Sequence, residues 1–500
     1  MIDQISSFIP SVSHPEKHPT FKTRLFWTGM ILLIFLVLGQ ITVYGISPQA
    51  TQRFQYLELI FGSSLGSLMS LGIGPIVTAS IILQLLVGSG ILGWKLTQPE
   101  DRKKFYNVQK LLTIFFCIFE AYAYVAFGLV QPLNSSLGLF IFLVFQLSFG
   151  GFLVLLMDEV VSKWGIGSGI SMFIAAGVSK NIFVRALNPL VPEGAEVAAG
   201  LVPQMFYYIG NGLVQNALYV VLPIIATLLV FGIVVFVQDI KVEIPLAFGS
   251  FSGFGRRWPL KFIYTSNIPV ILTAALLANL QLFATMLSSR GITFLGEIDQ
   301  NGNAASGLLY YLTPVRTPQI ELFALIFGLV VFAGILFNEL IYRKNTKAVI
   351  GSSIVLGLLV ATGASIASTG LPDVLSVVRV LTYLLFMIFF ATLFSIFWVY
   401  TSGMDAHSVA EQIQGIGMQI PGFRRDPRIV EQVLDRYIPP LAVMGGIFVG
   451  MVAAFADFTG ALGTGTGILL TVTIVYQLYE SIATRYVEEM NPMVRKFFRG

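Results

Sequence analysis

The sequence has little charge, one cysteine and three histidines. Charged residues make up 11% of its 500 residues and hydrophobic residues 55%, whereas about 25% of a typical soluble domain is charged. An ordinary soluble protein is therefore excluded, and a polytopic helical membrane protein is predicted. The lone Cys117 excludes a disulfide within the chain. His14, His18 and His407 lie outside the apolar runs without metal-ligand spacing, so no metal or other cofactor is predicted.

Sequence motifs of catalysis are also missing. The chain contains no HExxH, G-x-S-x-G or P-loop pattern, and no apolar run carries two carboxylates spaced to face one cavity. Glu120 lies in the middle of an apolar run. We interpret it as a hydrogen-bonded structural residue between helices, with a proton relay as the alternative. The sequence predicts that the protein is not an enzyme.

Long apolar runs account for most of the chain, and such segments are helical in lipid because every backbone polar group needs an internal partner. Runs long enough to span a membrane lie at about 25–46, 108–130, 137–158, 168–187, 217–238, 262–287, 319–342, 348–370, 374–400, 438–458 and 464–484. One more run, at about 73–92, is shorter and is broken near its start by Gly72, Gly74 and Pro75. The sequence therefore predicts an all-α membrane protein with about 12 spans.

The distribution of Lys and Arg predicts the orientation of these spans. If the N-terminus is cytoplasmic and each run crosses once, 24 of the 30 basic residues lie on the cytoplasmic side and six lie outside. Basic residues are enriched in the short cytoplasmic loops of membrane proteins. We therefore expect a multi-pass protein of the cytoplasmic (plasma) membrane with both termini in the cytoplasm.

Two predicted cytoplasmic loops carry most of the turn signals. Residues 239–261 are rich in Gly and end in a basic pair, and residues 401–437 contain the sequence IPGFRRDPR. Such loops can be solvated connectors that only carry positive charge. Their Pro and Gly punctuation instead favours structured turns, and we favour a docking surface for a large cytoplasmic partner.

The broken run follows a second unusual segment. Residues 49–70 are moderately apolar, too polar to span, and interrupted by Gly62 and Gly66. At membrane depth such a segment is tolerated only where protein buries it or where it lines a cavity. We expect a short segment folded back into the helix bundle. Thr78 and Gln84 in the broken run and Asn279 in the run 262–287 indicate two helices that share a polar face.

Several long motifs carry a family resemblance that extends over essentially the whole chain. They are LGIGPIVTASIILQLLVGS (71–89), DEVVSKWGIGSGISMFIAAGVS (158–179), VEIPLAFG (242–249), KFIYTSNIPVILTAALLANLQL (261–282), IPGFRRDPR (420–428) and GALGTGTGILLTV (460–472). The chain resembles archaeal-type SecY, the large channel-forming subunit of the Sec protein translocase.

The resemblance implies two inverted halves of five helices each around an hourglass pore. It divides the chain into a cytoplasmic N-terminal segment (1–24), an N-terminal half (25–187), an external loop (188–216), a C-terminal half (217–484) and a cytoplasmic tail (485–500). The C-terminal half contains the two docking loops. It departs from the family pattern by about 50 extra residues at 319–370, which form two apolar runs. We expect a lipid-facing transmembrane hairpin at the periphery, with capping of the gate or contact with a partner as alternatives.

The resemblance also implies roles for particular residues. The pore ring would consist of Ile73, Val77, Ile170, Ile174, Ile271 and Leu470, and the polar residues of the lateral gate would be Thr78, Gln84 and Asn279. The plug, at about 52–68, would include Phe54, Leu57, Leu59, Ile60 and Phe61, and Gly72, Gly74 and Pro75 would form the break between plug and half-helix. Arg256, Arg257, Arg424 and Arg425 would dock the ribosome or another partner.

The implied function is a passive protein-conducting channel. It would translocate unfolded secretory polypeptides and release transmembrane segments laterally into membrane lipid. Partners implied by the resemblance are small membrane subunits of the SecE/gamma type and the beta type, the ribosome, and the signal-recognition targeting machinery. A secondary transporter with broken helices and a non-transporting membrane scaffold are the alternatives. A transporter needs a polar or ionic site near the midplane, whereas the family-matched ring is aliphatic.

Overall fold

The computed structural model of the chain describes most of the molecule. The residues described are 10–16, 19–47, 66–94, 98–127, 129–134, 136–191, 197–248, 255–265, 268–288, 291–297, 304–315, 317–338, 346–370, 373–415, 418–419 and 427–485. Among them, eleven helical segments are long and apolar enough to cross a membrane, and Gly74–Gly88 is a shorter apolar helix. The protein is therefore a multi-pass helical membrane protein.

Helices follow one another along the chain with few interruptions. They are α1 (Phe21–Leu38), α2 (Gly74–Gly88), α3 (Pro99–Ala126), α4 (Leu137–Trp164), α5 (Gly169–Leu187), α6 (Leu201–Gly210), α7 (Val214–Gln238), α8 (Ile268–Ser288), α9 (Gly307–Leu312), α10 (Pro318–Phe337), α11 (Thr346–Thr369), α12 (Val374–Thr401), α13 (Ala406–Gly415), α14 (Pro427–Asp435), α15 (Ile438–Phe458) and α16 (Gly465–Arg485). The short α6 lies in the segment that was expected to be an external loop.

A small β-sheet interrupts this helical order, and the sequence did not indicate it. β1 (Lys241–Phe248) pairs antiparallel with β2 (Gly255–Lys261), and β3 (Met418–Gln419) pairs with the other edge of β1. The strand order is β2-β1-β3. β3 comes from residues 401–437 and β1 from residues 239–261. The sheet therefore joins the two predicted docking loops. We call the side of the molecule that carries this sheet the sheet face.

The first apolar run ends as a helix at Leu38, earlier than its composition indicates. Residues after Gly39 run in an irregular path whose backbone bonds to two other segments. The Val43 N–H donates to the Gly66 carbonyl at 2.8 Å, the Leu68 N–H donates to Ile41 at 2.9 Å, and Ser47 donates to Gln131 at 2.9 Å. These bonds fix the C-terminal end of the predicted plug segment beside α1.

The two extra runs form a helical hairpin, α10 and α11. Small residues line the contact between them: a Cβ on Gly334 would lie 2.0 Å from the Ser353 hydroxyl oxygen, and one on Gly357 would lie 3.2 Å from the Phe327 ring. Small residues allow such close approach of helices in lipid. α10 also packs on α7 and α15, whereas the main contact of α11 is with α10. The outer face of α11 exposes the apolar residues Val355, Leu356 and Leu359.

Candidate functional site

The helix that follows the predicted break starts at the position the sequence indicates. Gly72 has φ of 51°, in the left-handed region that glycine adopts most readily. Gly74 begins α2, and Pro75 lies in its first turn, where the missing N–H of proline costs nothing. Of the three residues, Gly72 therefore turns the chain and the other two start the helix.

The turn before α2 is buried against α4. Met69 and Leu71 are buried, and Gly150 of α4 lies so near Leu68 that a Cβ at Gly150 would be 1.8 Å from the Leu68 carbonyl oxygen. No side chain fits at this position. The segment 66–73 is thus part of the bundle rather than an external loop. Phe54, Leu57, Leu59, Ile60 and Phe61 of the predicted plug lie outside the described residues.

The six residues predicted for the pore ring come together in one apolar cluster. They belong to α5, α8, α16, the start of α2 and the residue just before it. Ile73, Val77, Ile174, Ile271 and Leu470 are buried members of the largest hydrophobic cluster, and Ile170 packs against it half-buried. The helices α5 and α16 are in contact, as are α2 and α8. Residues from Ile73 to Leu470, almost 400 positions apart in the sequence, therefore belong to the same apolar core.

A cavity of about 640 Å³, lined by both apolar and polar side chains, adjoins this cluster. Val77, Ile170 and Ile271 line its apolar part, and Ser80, Gln84, Gln109, Thr113, Ser168 and Ser171 contribute polar groups. Lys110 and Glu159, near the sheet-face ends of α3 and α4, also line it and are paired with each other. The cavity therefore leads from the sheet face to the ring. We call it the vestibule.

A hydrogen-bond chain joins three helices beside the ring. The Asn279 side-chain N–H of α8 donates to the Thr78 hydroxyl of α2 at 3.1 Å, and this hydroxyl donates to the Glu120 carboxyl of α3 at 2.9 Å. Glu120 is buried with 4% of its surface exposed. The contact crosses from the first predicted half (α2 and α3) to the second (α8).

The family resemblance implies that Thr78 and Asn279 are gate residues, and the sequence around Glu120 predicts a structural hydrogen-bonded residue. The structure gives Glu120 that kind of bond, and its partner is a predicted gate residue. The only signal in the sequence was a single carboxylate in an apolar run. Gln84, the third predicted gate residue, is buried and lines the vestibule, and its side-chain oxygen has no hydrogen-bond partner among the described residues.

The N-terminal segment crosses the sheet-face ends of α3 and α4. The Val12 N–H donates to the Glu159 carboxylate at 2.9 Å, and Lys163 donates to the Val12 carbonyl at 2.6 Å. The Lys110 ammonium donates to the Pro10 carbonyl at 3.0 Å. Glu159 is thus held by Lys110, Lys163 and the Val12 N–H. These contacts fix the position of the Lys110–Glu159 ion pair, which lines the vestibule.

The sheet packs against the helices that follow α12. Leu260 of β2 lies in one cluster with Val409 and Ile413 of α13 and with Val430 and Leu434 of α14. Arg256 and Arg257 are on β2, opposite Leu246 and Pro245 of β1. Arg424 and Arg425 lie outside the described residues.

The sheet is also connected to a helix of the ring. Lys261 at the end of β2 forms an ion pair with Glu480 of α16, and its ammonium lies 5.6 Å from the centre of the Tyr476 ring. Leu470 lies on the same helix. α16 therefore runs from the ring to the sheet.

Comparison with known proteins agrees with this architecture. The SecY family model matches residues 67–479. The protein translocase subunit SecY of Pyrococcus horikoshii is 39% identical over 517 aligned residues, which cover 100% of this chain and 99% of that protein. The SecY subunit of Methanocaldococcus jannaschii is 41% identical over 494 residues, covering 98% of this chain and 97% of that protein.

Solved structures show the same likeness. A structure described as a protein-conducting channel superposes with a TM-score of 0.77 at 38% identity, covering 99% of this chain and 100% of that one. Sec61 in a canine ribosome–channel complex from the endoplasmic reticulum superposes with a TM-score of 0.74 at 38% identity, with the same coverage.

A bundle of apolar helices with a cavity of about 640 Å³ beside Val77, Ile170 and Ile271 fits a membrane channel, and the solved structures it resembles are protein-conducting channels. The match over most of the chain to one family model then decides the family. The chain belongs to the SecY family, the channel-forming subunits of protein translocases.

Proposed function

We propose that the chain conducts unfolded secretory polypeptides across the cytoplasmic membrane and releases transmembrane segments sideways into lipid. The observation that supports this proposal is that all six aliphatic residues of the predicted ring belong to or pack on the bundle core and that Val77, Ile170 and Ile271 line a vestibule of about 640 Å³. Branched apolar side chains close around a passing chain without offering hydrogen bonds that would hold it. A narrow apolar constriction also excludes water when no chain occupies it.

Lateral release would use the boundary between α2 and α3 on one side and α8 and α12 on the other. α2 is in contact with both α8 and α12. The Asn279–Thr78 hydrogen bond closes this boundary at one point, and interhelical hydrogen bonds in membranes contribute only about 0.6 kcal/mol on average. Such a bond is strong enough to favour a closed gate and weak enough for an apolar segment to open it.

The sheet face would be the cytoplasmic side, with both termini there, because residues 239–261 and 401–437, which contribute its strands, are rich in basic residues. The sheet would present Arg256, Arg257, Arg424 and Arg425 as one basic surface to the anionic RNA of a ribosome. Sec61 in the canine complex is described as ribosome-bound, which supports this partner. Targeting machinery and small membrane subunits of the SecE/gamma and beta types are further proposed partners.

The channel itself would be passive and without enzymatic activity, so a bound ribosome or another motor would supply the driving force. The hairpin α10–α11 would be a lipid-facing addition at the periphery. Its main connection to the rest of the molecule is through α10, and apolar side chains cover the outer face of α11. A lipid environment matches that face.

The proposed seal is tested by the Ile174→Asn variant of the purified complex in liposomes. The polar side chain hydrates the ring, so we expect ion leak through the resting channel and transport of substrates with weakened signal sequences. Ile174→Leu, which keeps the volume and apolarity, is the matched control and should remain sealed. Loss of small-solute uptake with normal secretion in Ile174→Asn would instead support a secondary transporter.

A further inference from the structure

The helices that carry Ile174 and Leu470 begin with the same local pattern. α5 is preceded by Gly167 and Ser168 and starts at Gly169, and α16 is preceded by Gly463 and Thr464 and starts at Gly465. The first glycine of each pattern has a left-handed φ, 80° for Gly167 and 93° for Gly463. The same backbone turn therefore leads into each helix, although the two are almost 300 residues apart.

An aspartate from the preceding helix binds the second residue of each of these helices. The Asp158 carboxylate of α4 accepts a hydrogen bond from the Ile170 N–H at 2.9 Å. The Asp457 carboxylate of α15 accepts one from the Thr466 N–H at 3.2 Å. Carboxylates are favoured at this end of a helix because the first N–H groups lack partners and carry partial positive charge. Asp457 also accepts a hydrogen bond from the Tyr383 hydroxyl at 2.7 Å.

Glycine at the first helical position makes each of these contacts direct. A Cβ at Gly169 would lie 2.6 Å from the Cα of Asp158, and a Cβ at Gly465 would lie 1.9 Å from the carbonyl carbon of Ala456. Any side chain at either position would push the new helix away from the end of the previous one. The first residues of α5 and α16 thus contact the backbone of the preceding helix directly. This contact fixes the position of each helix along the bundle axis.

The ring residues follow at the same spacing. Ile174 is four residues after Ile170, and Leu470 is four residues after Thr466. Four residues of α-helix rise about 6 Å, so each carboxylate contact lies about one turn from its ring residue. Asp158 is next to Glu159 near the sheet face, whereas α16 starts at the opposite face and reaches the sheet at Glu480. The two contacts therefore hold the ring from opposite faces.

We infer that Asp158 and Asp457 are a matched pair of positioning residues that set the depth of Ile174 and Leu470 in the ring. This inference rests on the proposed sealing function of the ring. It explains why two polar carboxylates lie in a protein with so few charges within its helices. Neither aspartate touches the translocating chain in this role; each acts through the helix that it binds.

The test is ion leak through the purified complex in liposomes. Asp158→Ala and Asp457→Ala should each raise the leak about tenfold, the change in a sealed-to-leaky equilibrium expected when a helix cap of ordinary strength is lost. Asp158→Asn and Asp457→Asn should leak less than the alanine variants, because they keep one acceptor oxygen but lose the charge that strengthens the bond. Asp373→Ala is the matched control, since Asp373 precedes α12 without a side-chain capping bond, and it should stay sealed.

A double variant separates positioning from general destabilisation. If Asp158 acts through the ring, Asp158→Ala should add almost nothing to the leak of Ile174→Asn, and Asp457→Ala should add almost nothing to that of Leu470→Asn. The inference would be overturned if the leaks of the single variants multiply in the double variants. If the alanine variants fail to fold, the asparagine variants decide, and sealed channels in those variants would overturn it. A sealed Ile174→Asn variant would overturn the proposed ring instead, and the two failures are thereby distinguishable.

Discussion

The Asn279 side chain of α8 donates a hydrogen bond to the hydroxyl of Thr78 on α2 at 3.1 Å, across the boundary between the two predicted halves. The same hydroxyl binds Glu120 of α3. One polar contact therefore connects both sides of the proposed lateral gate at the level of the apolar ring. The opening of the gate requires this bond to break.

Asn279→Ala should make lateral release easier. Loss of one interhelical hydrogen bond shifts the gate equilibrium by about 0.6 kcal/mol, roughly threefold, toward the open form. The measurement is the fraction of a marginally apolar test segment that enters the lipid instead of passing through the membrane. The control is Gln281→Ala, which removes a side-chain amide from the same helix. This amide takes no part in the Thr78 contact. An unchanged or smaller inserted fraction in Asn279→Ala would contradict this function of the bond.

Arg424→Glu should weaken ribosome binding while the protein stays folded. The substitution reverses a charge that would face anionic RNA, so binding at physiological salt should decrease and the salt dependence should lose about one unit of slope. Titration of the purified complex with ribosomes at several salt concentrations measures both. Lys180→Glu changes the net charge equally within α5, away from the sheet. Equal ribosome affinity in the Arg424 variant and the parent would exclude this residue from the docking surface.

Gly357→Leu should separate α11 from α10 without affecting the pore. A side chain at this position would meet Phe327 and Val331 at 3.2–3.3 Å, and overpacking of this kind costs about 1–3 kcal/mol. We expect a lower melting temperature, or easier proteolysis near α11, with unchanged translocation. Gly363→Leu lies on the same helix with no atom within 4 Å and should change neither. A defect in translocation for Gly357→Leu alone would mean that the hairpin contributes to the gate.

The sequence predicted the spans well wherever apolar length alone decides the structure. The run 374–400 is the helix Val374–Thr401, and the run 438–458 is the helix Ile438–Phe458. The first run was predicted to extend to Ile46 and ends at Leu38, because backbone partners at Gly66 and Gln131 take over from the helix. Such partners depend on residues distant in the sequence, which apolarity does not encode.

The sheet could not be predicted for a related reason. Pro245 and Pro259 lie within its strands, and proline normally argues against a strand because it cannot donate a ladder hydrogen bond. Among the described residues, β2 is an edge strand and β3 pairs with β1 only at Ala247 and Phe248, so no described strand faces Pro245 on the other edge of β1. The ring and gate roles came from motif resemblance. The hydrogen bond between Glu120 and Thr78 could not be predicted from the sequence, because it depends on how α2, α3 and α8 pack together.

The most direct test of the account is a crosslink from a translocating polypeptide to the ring. Cysteines at Val77 or Ile271, in a chain whose Cys117 has been replaced by Ala, would be exposed to a stalled nascent chain carrying a single cysteine. We predict disulfide formation at both ring positions and none at a cysteine replacing Leu359 on the outer face of α11. Absence of a crosslink at Val77 and Ile271 with a chain that is otherwise engaged would contradict the pore through this ring and favour a scaffold that does not transport.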